Sequence, residues 1–99
     1  FDPGLEFTPM TAQLVYQYGL PRLAGLLVTS VNKDGPAYEC GIMPGDIIIR
    51  IGEERVASEM HAWALMREFG EGEEMTVHLF RDGSEYEAKM MLRKRVAGR

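Results

Sequence analysis

The stretch GIMPGDIIIRIG, residues 41–52, joins a rigid turn to the most hydrophobic run of the chain. Pro44 fixes φ, Gly45 permits a backbone conformation closed to other residues, and Asp46 can accept hydrogen bonds from neighbouring amides. Together these residues predict a sharp turn. The run that follows, Ile47–Ile51, is rich in β-branched residues and predicts a strand. The turn therefore directs this strand through the core.

Side chains alternate between the two faces of a strand, so the run predicts two faces. Ile47, Ile49 and Ile51 are expected to share one face. Ile48 and Arg50 are then expected on the other. The first face is all isoleucine, and the second has one isoleucine and one arginine.

Before this stretch, the sequence alternates between short strands and short helices. A short strand is predicted at 5–7, and a helix capped by Thr11 follows it. The segment 25–31 is rich in β-forming residues and predicts a second strand. Pro36 suits the first position of a helix of one or two turns, and Gly41 suits the position just past its end.

After this stretch, the sequence predicts one longer helix and a hairpin. Ser58 caps the helix, its apolar residues recur at helical spacing, and Gly70 stops it. Two alternating segments then flank Asp82 and Gly83, a pair typical of a tight hairpin turn. The predicted order is β-α-β-α-β-α-β-β, in a mostly antiparallel sheet. On the longer helix, the residues expected to face the core are Ala62, Leu65 and Phe69.

The composition limits the class of protein. With 99 residues, 45% hydrophobic and 26% charged, the chain has room for one small globular domain over residues 1–99. Its formal charge of −4 argues against a nucleic-acid surface. No apolar run approaches the roughly 20 residues of a membrane span, so we expect no direct membrane insertion. The start without Met and the loose end RVAGR at 95–99 favour a piece excised from a longer protein.

Few residues of the chain suit catalysis or metal binding. None of the three serines lies in a Gly-x-Ser-x-Gly elbow, and Ser58 is predicted to cap a helix. Cys40 paired with His61 or His78 stays open as a minor alternative. One cysteine and two histidines show no metal-ligand spacing, and no glycine-rich phosphate loop is present, so we expect no metal or cofactor. The chain itself is therefore predicted not to be an enzyme.

Four short motifs in the centre of the chain follow one another in a characteristic order. They are GPA at 35–37, GI at 41–42, PGD at 44–46 and II at 47–48. With a strand before them and a helix and hairpin after them, they resemble a PDZ domain. The resemblance is narrower to the PDZ domains that follow the protease domain in HtrA (Deg-type, trypsin-like) bacterial proteases. Members of this family usually have Asn-Gly in the turn after this strand. This chain has Gly-Glu-Glu there, at residues 52–54.

The resemblance covers residues 4–92 and implies an α+β fold. That fold is a small, mostly antiparallel β-sandwich or partly open barrel of about five strands, capped by two or three helices. The implied parent is a longer serine endopeptidase of the periplasm or bacterial cell envelope, whose protease domain is a partner of this one. The segment at 8–21 is similar to a helical segment of protease-linked PDZ domains. PDZ domains of secretion systems or intramembrane proteases stay as alternatives.

The resemblance also implies a peptide-binding groove between the first strand and the longest helix. A hydrophobic C-terminal or extended segment, as in an unfolded protein, would add itself there as an antiparallel strand. Backbone amides of the preceding loop would receive its carboxylate. Because Pro3 has no N–H, internal segments are expected to be accepted as readily as free C-termini. The implied peptide-binding residues are Pro3, Gly4, Leu5, Glu6, Phe7, Glu59, Trp63 and Met66.

Within that groove, three helix residues are expected to face the peptide, because positions i, i+4 and i+7 share a side of a helix. These are Glu59, Trp63 and Met66. Leu5 and Met66 are expected to form the pocket for the last side chain, and Trp63 to border the position two residues earlier. Two alternatives stay open. Leu5, Phe7, Trp63 and Met66 could be plain core, and the chain could be a structural module that packs against its parent.

Overall fold

The computed structural model describes residues 3–20, 24–56, 58–69 and 72–91. Within them the chain forms six strands and three helices. The strands are β1 (Leu5–Pro9), β2 (Leu26–Val31), β3 (Ile47–Ile51), β4 (Glu54–Arg55), β5 (Glu74–Arg81) and β6 (Ser84–Met91). The helices are α1 (Ala12–Tyr18), α2 (Pro36–Glu39) and α3 (Glu59–Arg67).

The strands form one open sheet in which every described pair is antiparallel. The order is β1-β2-β3-β5-β6, and β4 pairs with β3 beside this path. The predicted antiparallel α+β fold is confirmed. The sequence missed β4, because a strand of two residues has no alternation to detect. It follows a turn at Gly52 and Glu53, inside the segment where the family's turn was predicted.

Capping and turn residues in the sequence correctly predicted the starts of two helices and the hairpin turn. The Thr11 hydroxyl accepts a hydrogen bond from the Leu14 N–H at 3.1 Å, and the Ser58 hydroxyl accepts one from the His61 N–H at 3.0 Å. Both are helix N-caps, as predicted. Asp82 and Gly83, both with positive φ, close the two-residue turn between β5 and β6. The predicted helix stop at residue 70 and the predicted strand position at residue 92 lie outside the described residues.

Two hydrophobic clusters occupy opposite faces of the sheet. The main cluster includes buried residues of α3 (Ala62, Leu65 and Met66) and of the strands. A smaller cluster on the other face contains three buried residues, with part of α1 packed against it. These residues are Leu27, Ile47 and Ile49.

One sequence prediction about β3 is wrong. Ile51 was expected to share a face with Ile47 and Ile49, but it lies in the main cluster with Ile48. The reason is an irregularity in the pairing with β5, where Ile48 lies opposite Leu79 but Arg50 lies opposite His78. Two steps along β3 therefore match one step along β5, which is the mark of a β-bulge. From that point on, the side chains of β3 lie on the face opposite to the one that simple alternation predicts.

The turn before β3 is held by a buried carboxylate. Gly45 has a φ of 95°, a region that favours glycine. Asp46 is 1% exposed and accepts a hydrogen bond from the Met43 N–H at 2.8 Å. Arg81, at the end of β5, donates to the same carboxylate from Nε at 2.7 Å and from Nη2 at 2.6 Å. The turn is thereby tied to the β5–β6 hairpin.

Candidate functional site

The candidate site lies where the edge strand β1 meets α3. In the described part of the chain, β1 pairs only with β2, so a row of its backbone groups faces away from the sheet. Helix α3 packs near this strand, and the ring of Trp63 lies 5.2 Å from that of Phe7, measured between centroids. An exposed strand edge beside a helix is the arrangement that strand-adding peptide sites use.

The loop that leads into β1 is fixed to the body of the domain by its carbonyl groups. The Pro3 carbonyl accepts a hydrogen bond from the Ala37 N–H at 3.0 Å, and the Gly4 carbonyl accepts one from the Asn32 N–H at 2.7 Å. Gly4 has a φ of 75°, and a Cβ added there would lie only 2.8 Å from the Cα of Gly35. Two glycines in contact therefore set the position of this loop.

Sequence reasoning named Pro3 and Gly4 but missed the residues that hold them. Asn32 and Gly35 lie in the NKDGP segment at 32–36, where the sequence indicated a family motif and the start of a helix but no contact with the loop before β1. Its Asn32 side chain also accepts a hydrogen bond from the Asp34 N–H at 3.0 Å, a typical turn contact. That turn was readable from the sequence. Its contact with the loop before β1, about thirty residues earlier, was not.

Strand β1 presents alternate residues to the interior. Leu5 and Phe7 are each 7% exposed and belong to the main cluster, whereas Glu6 between them is exposed. The Glu6 carboxylate accepts a hydrogen bond from the Ser30 hydroxyl at 3.3 Å on the opposite face. Glu6 therefore points away from the main cluster, and its role in peptide binding, if any, would come from its backbone.

Helix α3 supplies the other wall. Ala62 and Leu65 are buried, as predicted, and Phe69 packs against the main cluster. Trp63 is half-buried, and Glu59 at the start of the helix is exposed. Trp63 contacts Phe7 of β1. The peptide-binding roles of Trp63 and Glu59 stay predictions.

Met66 is 1% exposed and lies in the same cluster as Leu5 and Phe7. Leu5 and Met66, the two residues predicted to form a pocket for the last side chain of a peptide, thus belong to one hydrophobic cluster. A residue so deeply buried would form the base of such a pocket rather than its rim. Replacing Met66 by lysine would bury a charge and lower stability, so this substitution cannot separate binding from folding.

The one cysteine of the chain has the environment of a structural thiol. Cys40 is half-buried, and its Sγ donates a hydrogen bond to the Ala37 carbonyl at 3.3 Å. Burial raises the pKa of this thiol, which disfavours the thiolate that nucleophilic chemistry requires. Among the described residues, no group of three or more His, Cys, Asp or Glu is placed to hold a metal ion.

No helix in the described ranges is long and apolar enough to cross a membrane.

Comparison with known proteins places this architecture in a family. The PDZ domain family model matches residues 4–92. The magnetosome formation protease MamE of Magnetospirillum gryphiswaldense is 31% identical over 80 residues, which are 81% of this chain and 10% of MamE. A DegP-like periplasmic serine endoprotease of Halomonas elongata is 34% identical over 80 residues, or 81% of this chain and 17% of that protein. The chain thus spans less than a fifth of these relatives.

Solved structures of HtrA-type proteins have the same fold as this chain. The HtrA-type protease AlgW, solved with a decapeptide, superimposes with a TM-score of 0.81 and 27% identity, over 96% of this chain and 29% of that one. The HtrA3 PDZ domain, bound to the phage-derived ligand FGRWV, superimposes with a TM-score of 0.79 and 18% identity, over 91% of this chain and 82% of that one. The chain therefore belongs to the PDZ domain family, and its predicted resemblance to the HtrA and Deg-type members is confirmed.

Proposed function

We propose that this chain is a peptide-recognition module, which receives an extended hydrophobic segment along the free edge of β1. The observation that carries this proposal is that β1, within the described ranges, pairs with β2 alone and lies next to a helix that packs against it. The peptides present in the AlgW and HtrA3 structures support it. Backbone hydrogen bonds to the strand edge would supply affinity, and side-chain pockets would supply selectivity.

The last side chain of the peptide is assigned to the apolar surface near Leu5 and Met66. Because this surface belongs to the main hydrophobic cluster, peptides that end in Val, Leu, Ile or Phe should bind better than peptides with charged ends. A short added strand with one filled pocket would reach an affinity near the micromolar range, or about −8 kcal/mol.

The loop before β1 is the assigned place for the peptide carboxylate. Its carbonyls at Pro3 and Gly4 are engaged with the body of the domain, so the loop is held in place before a ligand arrives. Pro3 contributes no N–H, which removes one donor from that loop. We therefore expect only a modest preference for a free C-terminus over an amidated or internal segment.

We further propose that the parent protein is a serine endopeptidase of the periplasm or bacterial cell envelope. The relatives described above are proteases, and one is named as periplasmic. In that protein, this domain would recognise substrates or regulators with exposed hydrophobic segments, and catalysis would lie in another domain. The isolated chain should hydrolyse no casein and should not react with serine-directed covalent probes.

Calorimetric titration with short peptides tests the peptide-recognition role. A peptide ending in Val should bind with a Kd near the micromolar range. The same peptide ending in Asp should bind at least tenfold more weakly, and its amidated form should lose little. If no hydrophobic peptide binds to the folded domain, peptide recognition is wrong.

A second candidate function, a structural module that packs against its parent, has one observation in its favour. A half-open cavity of about 500 Å³ lies between the end of α1, the turn before β3 and the β5–β6 hairpin. Two apolar side chains at its border are well exposed, Tyr18 at 62% and Met43 at 55%. Failure of every peptide to bind would favour this role over peptide recognition.

A further inference from the structure

Strand β6 is the edge of the sheet that lies farthest from β1 in the strand order. Within the described ranges it pairs only with β5, and all eight of its residues are paired without a register shift. Neither a proline nor a bulge interrupts it there. A long, regular edge of this kind offers a row of backbone donors and acceptors to another strand. The charges along the edge then decide which strand fits.

The hairpin turn determines which backbone groups of β6 face outward. Asp82 and Gly83 both have positive φ, as in a type I′ turn, so Arg81 and Ser84 form the hydrogen-bonded pair that closes it. From there, residues that bond to β5 alternate along β6 with residues directed away from it. The residues whose N–H and C=O groups face the free edge are therefore Glu85, Glu87, Lys89 and Met91.

The side chains of these four residues share the face of β6 that lies away from the main cluster. Ala88 and Met90, which alternate with them, are buried in that cluster. The four outward-directed residues are all exposed. Two negative charges, one positive charge and an apolar side chain thus follow one another along the free edge.

We propose that two copies of this domain pair through β6, antiparallel and about a two-fold axis at Ala88, to form one continuous sheet. An antiparallel pairing sets the outward-directed residues of the two strands opposite one another. With the axis at Ala88, Glu87 of each copy lies opposite Lys89 of the other copy. The symmetry produces this attractive pair twice.

Like charges disfavour the neighbouring registers. An axis at Glu87 sets that carboxylate opposite itself, and an axis at Lys89 sets two ammonium groups opposite each other. An axis at Tyr86 sets Glu85 opposite Glu87. The order of charges on β6 therefore favours one register, and a second copy of this chain carries the complementary order by symmetry.

The proposed pairing involves only the β6 edge and leaves the free edge of β1 open. It therefore does not depend on the proposed peptide recognition. Because a single pair of strands gives a small interface, we expect a weak dimer, with a Kd on the order of 100 µM.

Sedimentation equilibrium of the chain, over a concentration range that spans this Kd, tests the proposal. Wild type should change from monomer to dimer. Lys89→Glu and Glu87→Lys each replace both attractive pairs with repulsive ones, so each should weaken dimerisation about tenfold. Both positions are exposed, so the variants should fold normally.

A mixture of these two variants tests the register. In a mixed dimer, the new lysine at position 87 lies opposite the new glutamate at position 89, and the original Glu87 lies opposite the original Lys89. Both pairs are attractive again, so the mixture should dimerise as strongly as wild type. In the control mixture, Glu85→Lys replaces Glu87→Lys. It makes the same change of charge on the same face but leaves one repulsive pair, so this mixture should dimerise more weakly.

Amide hydrogen exchange gives a second measurement on the unmodified domain. At higher protein concentration, exchange should slow at the four outward-directed amides of β6. The amides of Tyr86, Ala88 and Met90 should not change, because they already donate to β5.

Several results would overturn self-pairing through β6. One is a wild-type chain that stays monomeric over this range, and another is a dimer that Lys89→Glu does not weaken. A mixture that dimerises no better than its control would rule out the axis at Ala88. Outward amides that respond only to an added peptide would assign the edge to a strand of another protein. None of these results bears on peptide binding to β1.

Discussion

The turn before β3 and the groove between β1 and α3 are stabilised by different kinds of contact. At the turn, the buried carboxylate of Asp46 receives hydrogen bonds from Met43 and from two nitrogens of Arg81. At the groove, the main described contact between the two walls is an aromatic pair, Phe7 and Trp63. The first region satisfies its polar groups internally, whereas in the described part of the chain β1 pairs with β2 on one edge and leaves the backbone groups of its other edge without a strand partner.

Because of this difference, the turn before β3 should contribute mainly to the stability of the domain, and the groove mainly to peptide recognition. A buried carboxylate with its hydrogen bonds made is costly to disturb, because any lost partner leaves a charge in the interior. An aromatic contact can be separated and replaced by contacts with a ligand at much lower cost. Substitutions at the turn should therefore change stability and leave peptide affinity intact, and substitutions at the groove should do the reverse.

The largest effect is expected for Arg81→Met. Of the hydrogen bonds to the Asp46 carboxylate within the described residues, only the one from the Met43 N–H would remain, so the free energy of unfolding should fall by about 3 kcal/mol. Urea unfolding measures this loss. Peptide affinity of the folded fraction should not change, because neither β1 nor α3 takes part in the described hydrogen bonds between Asp46 and Arg81.

Arg50→Met is the matched control, since Arg50 is an exposed arginine on the neighbouring strand. Its effect should stay within about 0.5 kcal/mol. Adding Asp46→Asn to Arg81→Met should restore part of the lost stability, because the buried charge is removed. If Arg81→Met and Arg50→Met unfold alike, the ion pair does not stabilise the turn.

Substitutions at two glycine positions measure backbone strain and steric overlap separately. Gly45 has a φ of 95° and open space around it, so Gly45→Val should cost about 1–3 kcal/mol through strain alone. At Gly25, an added Cβ would lie 2.5 Å from the carbonyl oxygen of Ile48, so Gly25→Ala should cost a similar amount through overlap.

Asparagine at both positions separates the two causes. Because Asn tolerates positive φ better than Val does, Gly45→Asn should recover much of the loss, whereas Gly25→Asn should not. Thermal unfolding compares the four variants. An unchanged melting curve for Gly45→Val would show that the turn does not need the backbone freedom of glycine.

A smaller effect, on binding as well as stability, is expected for Gly35→Ala. The added methyl group would lie about 2.8 Å from the Cα of Gly4 and should push the loop before β1 out of place. Peptide affinity should fall severalfold, because that loop leads directly into β1, the strand to which the peptide is proposed to add. Ser30→Ala removes an exposed hydroxyl and its hydrogen bond to the Glu6 side chain on the face away from the main cluster, so it is the control and should bind normally. Equal peptide affinities in the two variants would show that the loop before β1 does not contribute to peptide binding.

The fold was largely predictable from the sequence because its signals are local. Thr11 and Ser58 cap helices through residues three positions away, and Asp82 with Gly83 closes a hairpin by its own backbone conformation. The bulge that moves Ile51 to the other face depends on pairing with β5, which lies more than twenty residues later. No short window of sequence contains that information.

The candidate site was less predictable for the same reason. Periodicity separated Ala62 and Leu65 from Trp63 on α3, since that pattern is carried by the helix itself. The contact of Trp63 with Phe7, and the packing of Gly4 on Gly35, each join segments far apart in the chain. These non-local contacts decide the width of the groove and the position of its loop.

The central claim is that a peptide adds itself to β1 beside α3, and backbone amide NMR of the labelled domain tests it most directly. On titration with a peptide ending in Val, the account predicts the largest shift changes at the amides of residues 4–8 and at the indole N–H of Trp63. The amides of Gly45 and Asp46 should hardly move. Changes centred on that turn and on the β5–β6 hairpin, with β1 unaffected, would contradict the account.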